Sequence, residues 1–247
     1  MKVGILGGAF NPPHIGHVLL GYYALENINL DKLIYIPTAT PTHKTITDGW
    51  NAQMRSLLTK IALFTYPPHV LERVLIQRKI FSDYGGDSKK HVPGQSYNLV
   101  FIWFMETYTK LYFLKHDNRI EVWDIEIDNS KDISYTIDTI DAIKTNNPEW
   151  DLHLIIGQDQ AEQIDTWKDY KLLAKESQIC VANRNCGNLE DLKSKFPFIT
   201  TFEFPIIDLS SSLIRERIKN DMTIDSMVPD ILDIFIRCKE IIQRFEA

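Results

Sequence analysis

The chain has 247 residues, of which 44% are hydrophobic, and a formal net charge of −6. That length fits one large α/β domain, or a domain with an insertion, and the apolar content suffices for a full core. The acidic balance argues against a nucleic-acid-binding surface. Leu99 to Leu114 is apolar and aromatic, but Glu106 and Lys110 interrupt it. It is also shorter than the ~20 residues of a membrane span, so it reads as a core or interface helix.

Lys2 to Leu6 reads as a buried first strand and Val18 to Asn27 as a helix. Between them runs Gly7-Gly8-Ala9-Phe10-Asn11-Pro12-Pro13-His14-Ile15-Gly16-His17, at a strand-to-helix junction of the kind that binds phosphates. Gly7 and Gly8 allow close backbone approach to a ligand and unusual φ values. Asn11 is expected to cap the helix, with Pro12 and Pro13 in its first turn. His14 and His17 are three apart and share one helical face, with room left by Gly16. Two imidazoles beside the positive helix end would donate to phosphate oxygens. Neither a P-loop nor a Gly-x-Gly-x-x-Gly turn is present.

Further along, Lys32 to Pro37 reads as a strand and Trp50 to Phe64 as a helix ended by Pro67-Pro68. Ile120 to Ile127 reads as a strand and Tyr135 to Thr145 as a helix. Leu152 to Ile156, Gln178 to Ala182 and Ile199 to Phe204 read as strands. Ser211 to Asn220 and Pro229 to Phe245 close the chain as helices. This alternation predicts an α/β, Rossmann-like, doubly wound parallel sheet with helices on both faces. Residues 67–119 fit the alternation poorly and read as an insertion within a single 1–247 domain. A structural or dimer-contact element is preferred for it over a lid. Cys180, Cys186 and Cys238 form no Cys-x-x-Cys pair, which suggests a reducing compartment. No signal peptide is expected ahead of the first strand.

Leu209-Ser210-Ser211-Ser212-Leu213-Ile214-Arg215 puts three hydroxyls before a helix, with Arg215 four residues after Ser211. A guanidinium there can grip phosphate oxygens through two parallel donors. Ser134-Tyr135-Thr136-Ile137-Asp138-Thr139 opens another helix. Gly157-Gln158-Asp159 follows a buried strand, and Trp167 comes shortly after. Lys44 lies in a loop and Arg184 at a strand end.

The first motif resembles the His-x-Gly-His nucleotidyltransferase superfamily. Class I aminoacyl-tRNA synthetases share those four letters, but this chain has no Lys-Met-Ser-Lys-Ser loop. The serine segment is similar to the Ile-Ser-Ser-Thr-x-Ile-Arg motif of adenylyltransferases, with Leu209 for Ile and Ser212 for Thr. The remaining segments coincide with those of nicotinate-mononucleotide adenylyltransferases. The resemblance implies ATP, entering with Mg²⁺, and nicotinate mononucleotide as substrates, with deamido-NAD and pyrophosphate as products. It implies ATP contacts from Gly7, Gly8, Ala9, Phe10, His14, His17, Gly157, Asp159, Ser210, Ser211, Ser212 and Arg215. His17, His14 and Arg215 would be catalytic, and no dedicated protein metal site is implied. Lys44, Tyr135, Thr136, Trp167 and Arg184 would hold the mononucleotide. Neither nucleic acid nor membrane is an expected partner, and a homo-oligomer is compatible with the sequence. The expected location is the cytoplasm, or the nucleus in a cell that has one. Nicotinamide mononucleotide as acceptor, pantetheine-phosphate adenylylation and a non-catalytic nucleotide-binding module are the alternatives.

Overall fold

The computed structural model describes residues 1–41, 49–65, 69, 71, 95–128, 133–183 and 189–244. The chain runs β1 (Lys2–Gly8), α1 (Ile15–Ile28), β2 (Lys32–Pro37), α2 (Ala52–Ala62), α3 (Gln95–Lys115), β3 (Ile120–Val122) and α4 (Ile125–Asp128). It continues through α5 (Thr136–Asn146), β4 (Asp151–Gly157), α6 (Gln158–Ala161), a 3₁₀ turn (Ile164–Thr166), α7 (Tyr170–Glu176) and β5 (Gln178–Asn183). It ends with α8 (Leu189–Lys195), β6 (Ile199–Glu203), α9 (Ser211–Lys219) and α10 (Asp230–Arg244).

The strands lie in the order β3-β2-β1-β4-β5-β6 and pair in parallel throughout, with Ile5 level with Ile34 on one side and Leu154 on the other. Alternation along each strand assigns side chains to the two faces. Leu152, Leu154 and Ile156 of β4, with Ile179 and Val181 of β5, pack against Ile137, Ile140 and Ile143 of α5. Ile155, Cys180 and Ala182 serve the opposite face, under Leu20, Ala24 and Leu25 of α1. Burying a residue of this kind contributes about 1.5–3 kcal/mol, so both sheet faces are strongly committed. A further apolar cluster is helical. Leu57, Leu58 and Ile61 of α2, Phe104 and Tyr108 of α3, and Ile231, Leu232 and Phe235 of α10 pack together. Among the described residues, no helix is long and apolar enough to cross a membrane.

The strand order reverses between β1 and β4. Helices leave the sheet in opposite directions there and open a crevice at the carboxyl ends of the strands.

Two expectations need correction. The strand expected over Ile120–Ile127 ends at Val122, after which Trp123 N–H still donates to Tyr35 O (2.9 Å). The chain then leaves the sheet for α4. There Asp124 accepts from Ser56 and Lys60 of α2, and Glu126 accepts from Thr139 of α5 (2.9 Å). The carboxylates find their partners on helices, not along the ladder. Asn11 does not cap α1, and Pro12 and Pro13 precede the helix. α1 starts at Ile15 with His14 as its N-cap, and the buried Asn11 side chain accepts instead from Trp50 N–H (3.0 Å).

Candidate active site

The turn after β1 is shaped by aromatic packing. Gly7 and Gly8 belong to β1, and the left-handed residue is Phe10 (φ 46°), not a glycine. That conformation costs a non-glycine residue roughly 1–2 kcal/mol. Phe10 is 1% exposed, and burial of its ring offsets the cost. Gly8 is required by the same ring, because a Cβ there would sit 2.9 Å from Phe10 Cζ.

The two histidines organise each other. His14 N–H donates to His17 Nδ1 (3.1 Å), and His17 N–H donates back to His14 O (2.9 Å). A ring nitrogen that accepts carries no hydrogen, so neutral His17 holds its proton on Nε2. The imidazole can therefore donate only from Nε2. The rings lie 3.7 Å apart at 33°, and the Phe10 ring stands nearly perpendicular to His17 at 5.0 Å. From below, the buried Tyr35 hydroxyl donates to His17 O (3.0 Å), and burial pushes that phenol far above its ordinary pKa. Gly16 leaves the space His14 occupies, since a Cβ there would lie 3.0 Å from His14 Nδ1.

The serine motif arrives at this turn from the far end of the chain. Arg215 Nη1 donates to Asn11 O (2.8 Å), and Ser211 Oγ donates to Pro12 O (2.8 Å). Ser210 is the N-cap of α9 and accepts from Leu213 N–H (3.2 Å), while Ser212 accepts from Arg215 Nη2 (3.3 Å). Arg215, on α9, thus reaches the turn that leads into His14 and His17. In this state the hydroxyls serve the cap and the turn.

Next to the turn, at the β1/β4 switch point, is a cavity of about 230 Å³. Gly7, Gly8 and Ala9 form one wall, Tyr135 and Thr136 another, and Trp167 a third. Tyr135 is the N-cap of α5, so the first N–H groups of that helix have no partner within it. Lys168 lies at the rim, 4.6 Å from the Tyr135 ring centroid and paired with Asp138 (3.1 Å). Phe10 on the adjoining turn, His14 and His17 at the start of α1, and Arg215 on α9 lie outside this wall. Gly157 ends β4 beside Ala182 on the same strand-end edge, and Asp159 is exposed on α6. Lys44 and Arg184 lie outside the described residues. Among the described residues, no group of three or more His, Cys, Asp or Glu side chains is placed to hold a metal ion.

Two residues of this site escaped the sequence reading. Arg55 is 1% exposed and donates to Ala9 O (2.5 Å), Thr38 O (2.7 Å) and Ala39 O (3.0 Å), tying the loops after β1 and β2 together. Its signal was an arginine in helical register with Leu58 and Ala62, at the start of a run of α2 that is buried from Arg55 to Ala62. Glu126 lines the cavity from α4, and burial pushes its carboxyl above the usual carboxylate range despite hydrogen bonds from Thr139 and Ser134. Nothing in the local pattern marked it, because its segment read as strand.

The fold and site define a doubly wound α/β protein with an anion-type turn at its switch point, the architecture of nucleotide-handling enzymes. Residues 5–217 match the cytidylyltransferase-like model, and the chain belongs to that family. A probable nicotinate-nucleotide adenylyltransferase of Borreliella afzelii is 31% identical over 229 residues, covering 93% of this chain and 90% of the relative. One of Dictyoglomus turgidum is 29% identical over 244 residues, covering 96% and 93%. Among solved structures, Plasmodium falciparum nicotinic acid mononucleotide adenylyltransferase complexed with NaAD superposes with a TM-score of 0.60 at 17% identity. The match covers 96% of this chain and 95% of that one. At that identity the likeness concerns the fold.

Proposed function

We propose that the protein transfers the adenylyl group of ATP to nicotinate mononucleotide, giving deamido-NAD and pyrophosphate. The observation that carries this is the meeting of Arg215 and Ser211 with the His14–His17 turn, beside a cavity walled by Tyr135, Thr136 and Trp167. Strong sequence relatives bearing that activity in their names support it.

A phosphate oxygen of the mononucleotide attacks the α-phosphorus of ATP. The bond to the bridging oxygen of the β-phosphate breaks, and pyrophosphate leaves. The attacking oxygen is already ionised, so the reaction needs alignment and charge compensation, not a covalent nucleophile. In this reading His17 Nε2–H donates to the α-phosphate as its charge grows, and His14 helps to hold the triphosphate. Arg215, with Ser210, Ser211 and Ser212, receives the leaving pyrophosphate. Gly7, Gly8, Ala9 and Phe10 shape the ATP side, and Gly157 and Asp159 border its nucleoside. Tyr135 and Thr136 offer backbone donors to the nicotinate carboxylate, and Trp167 stacks on the pyridine ring. Lys44 and Arg184 are assigned to phosphates at the acceptor end. ATP enters as its Mg²⁺ complex, with the ion held by phosphate oxygens and water. We read residues 67–119 as an insertion in one domain, and the soluble substrates fit a cytoplasmic setting.

The test is product analysis after incubation with Mg²⁺-ATP and each mononucleotide. Deamido-NAD and pyrophosphate formed in equal amounts, with nicotinate preferred over nicotinamide mononucleotide, is the expected result. Preference for the amide would reassign the acceptor, and no pyrophosphate release from either would defeat the reading. His17→Ala should lower turnover by about 10²–10³ while leaving the fold intact.

A further inference from the structure

Helix α3 turns Phe104 and Tyr108 into the helical cluster, with 0% exposure for both. Its opposite face is apolar and open. Ile102 is 50% exposed, Trp103 52%, Phe113 77% and Leu114 80%. Between them on the same face stand the exposed residues Glu106 and Lys110. At 100° per residue all six fall within about 60° of one line along the helix, diametrically opposite Tyr108. Four large apolar side chains exposed on one helix flank are a feature of interaction surfaces.

The six residues have a symmetry that a generic sticky patch would lack. Each lies as far before position 108 as a partner lies after it: Ile102 with Leu114, Trp103 with Phe113, Glu106 with Lys110. A two-fold axis crossing the helix at the level of Tyr108 would set two copies of α3 antiparallel. Residues equidistant from the axis then come to the same height on opposite helices. At each end Trp103 packs beside Leu114 of the second copy on one flank and Ile102 beside Phe113 of the second copy on the other, while Glu106 meets Lys110 across the centre line on both sides of the axis. Every contact is made twice, as an isologous interface requires. A parallel arrangement would instead put Glu106 against Glu106.

We infer that the exposed face of α3 is a self-complementary homodimer interface, occupied by a second copy of this chain in antiparallel register. Ile102, Trp103, Phe113 and Leu114 provide the apolar contact area, and the central charges fix orientation and register. The inference does not depend on the reaction assigned above, because its test reads only mass.

Sedimentation velocity over a concentration series should show a monomer–dimer equilibrium. Trp103→Asp with Phe113→Asp should abolish it, with circular dichroism and thermal unfolding confirming a folded chain. The register is tested by charge reversal. Glu106→Lys places Lys against Lys, and Lys110→Glu places Glu against Glu. Each variant alone should dimerise at least about tenfold more weakly than the wild type. Mixed in equal amounts they should form a heterodimer, since each contact between position 106 of one chain and position 110 of the other then joins opposite charges again. Its formation also shows that both variants are folded. A monomer at every concentration up to the solubility limit would overturn the inference. So would a dimer indifferent to these substitutions, or a mixture no more associated than its components.

Discussion

Arg55→Ala is the most demanding test of how the site is built. The guanidinium is buried and holds three backbone carbonyls, two of them in residues that line the cavity wall, Ala9 and Thr38. Burial lowers its pKa, and the nearby Glu126 carboxylate opposes that shift, so the two groups are electrostatically linked in the folded chain. A hydrogen bond to a charged group is worth about 1.5–3 kcal/mol. Removing one member of a buried charged set costs about 3–5 kcal/mol, because the partner groups stay behind without compensation. At about 2–4 °C per kcal/mol for a chain of this size, the melting temperature should fall by roughly 10 °C. Urea unfolding and thermal circular dichroism measure the stability. Steady-state kinetics well below the new melting temperature measure the site, where kcat/KM should also fall because the loops after β1 and β2 lose their common anchor. Arg55→Met keeps the aliphatic stem and should lose nearly as much. Arg55→Lys should rescue only part, since a compact ammonium cannot span three carbonyls. A melting point within about 2 °C of the wild type and unchanged kcat/KM in the alanine variant would refute the reasoning.

Glu126 gives a pH-dependent prediction. Its folded pKa is raised, so it adds stability in acid that is lost as pH rises through the folded value. Glu126→Gln should therefore be more stable than the wild type near pH 8, with the gap closing as pH falls below the usual carboxylate range. Urea midpoints at both pH values check the sign. Gly16→Ala should keep or slightly raise the melting temperature, because alanine favours a helix by about 1 kcal/mol. It should nevertheless lower turnover several-fold by pushing the His14 ring; equal activity would show that His14 tolerates the shift. Trp167→Ala should raise the mononucleotide KM about 10–100-fold with little change for ATP, judged against a stacking contribution of about 1–3 kcal/mol. Cys180 is 1% exposed and its thiol is pushed up chiefly by burial, so it should resist alkylation until urea unfolds the chain, as peptide mass mapping would show.

The parts of this protein that could be read from its letters depend on neighbours in the chain. Apolar runs placed the six strands, and three-residue spacing put His14 and His17 on one turn. The hydroxyl cluster before Arg215 marked the start of a helix. The errors fell where a local rule had a distant competitor. Asn11 looked like a helix cap, but Trp50 claims its side chain. The segment after Val122 looked like strand, but Ser56 and Lys60 draw Asp124 out of the sheet. The glycines looked like the left-handed positions of the turn, but the core claims the Phe10 ring and forces that conformation on Phe10 instead.

The sequence by itself determined the alternation of strands and helices and the chemical groups available for an anion, because both follow from side-chain spacing along a few consecutive residues. Only the tertiary structure decided where those groups meet. Arg215 reaches Asn11 across 204 positions, and Arg55 joins two loops from a third element. Such contacts exist because parallel strands place their carboxyl ends along one edge whatever their separation in the chain. No pattern within a single element encodes that distance.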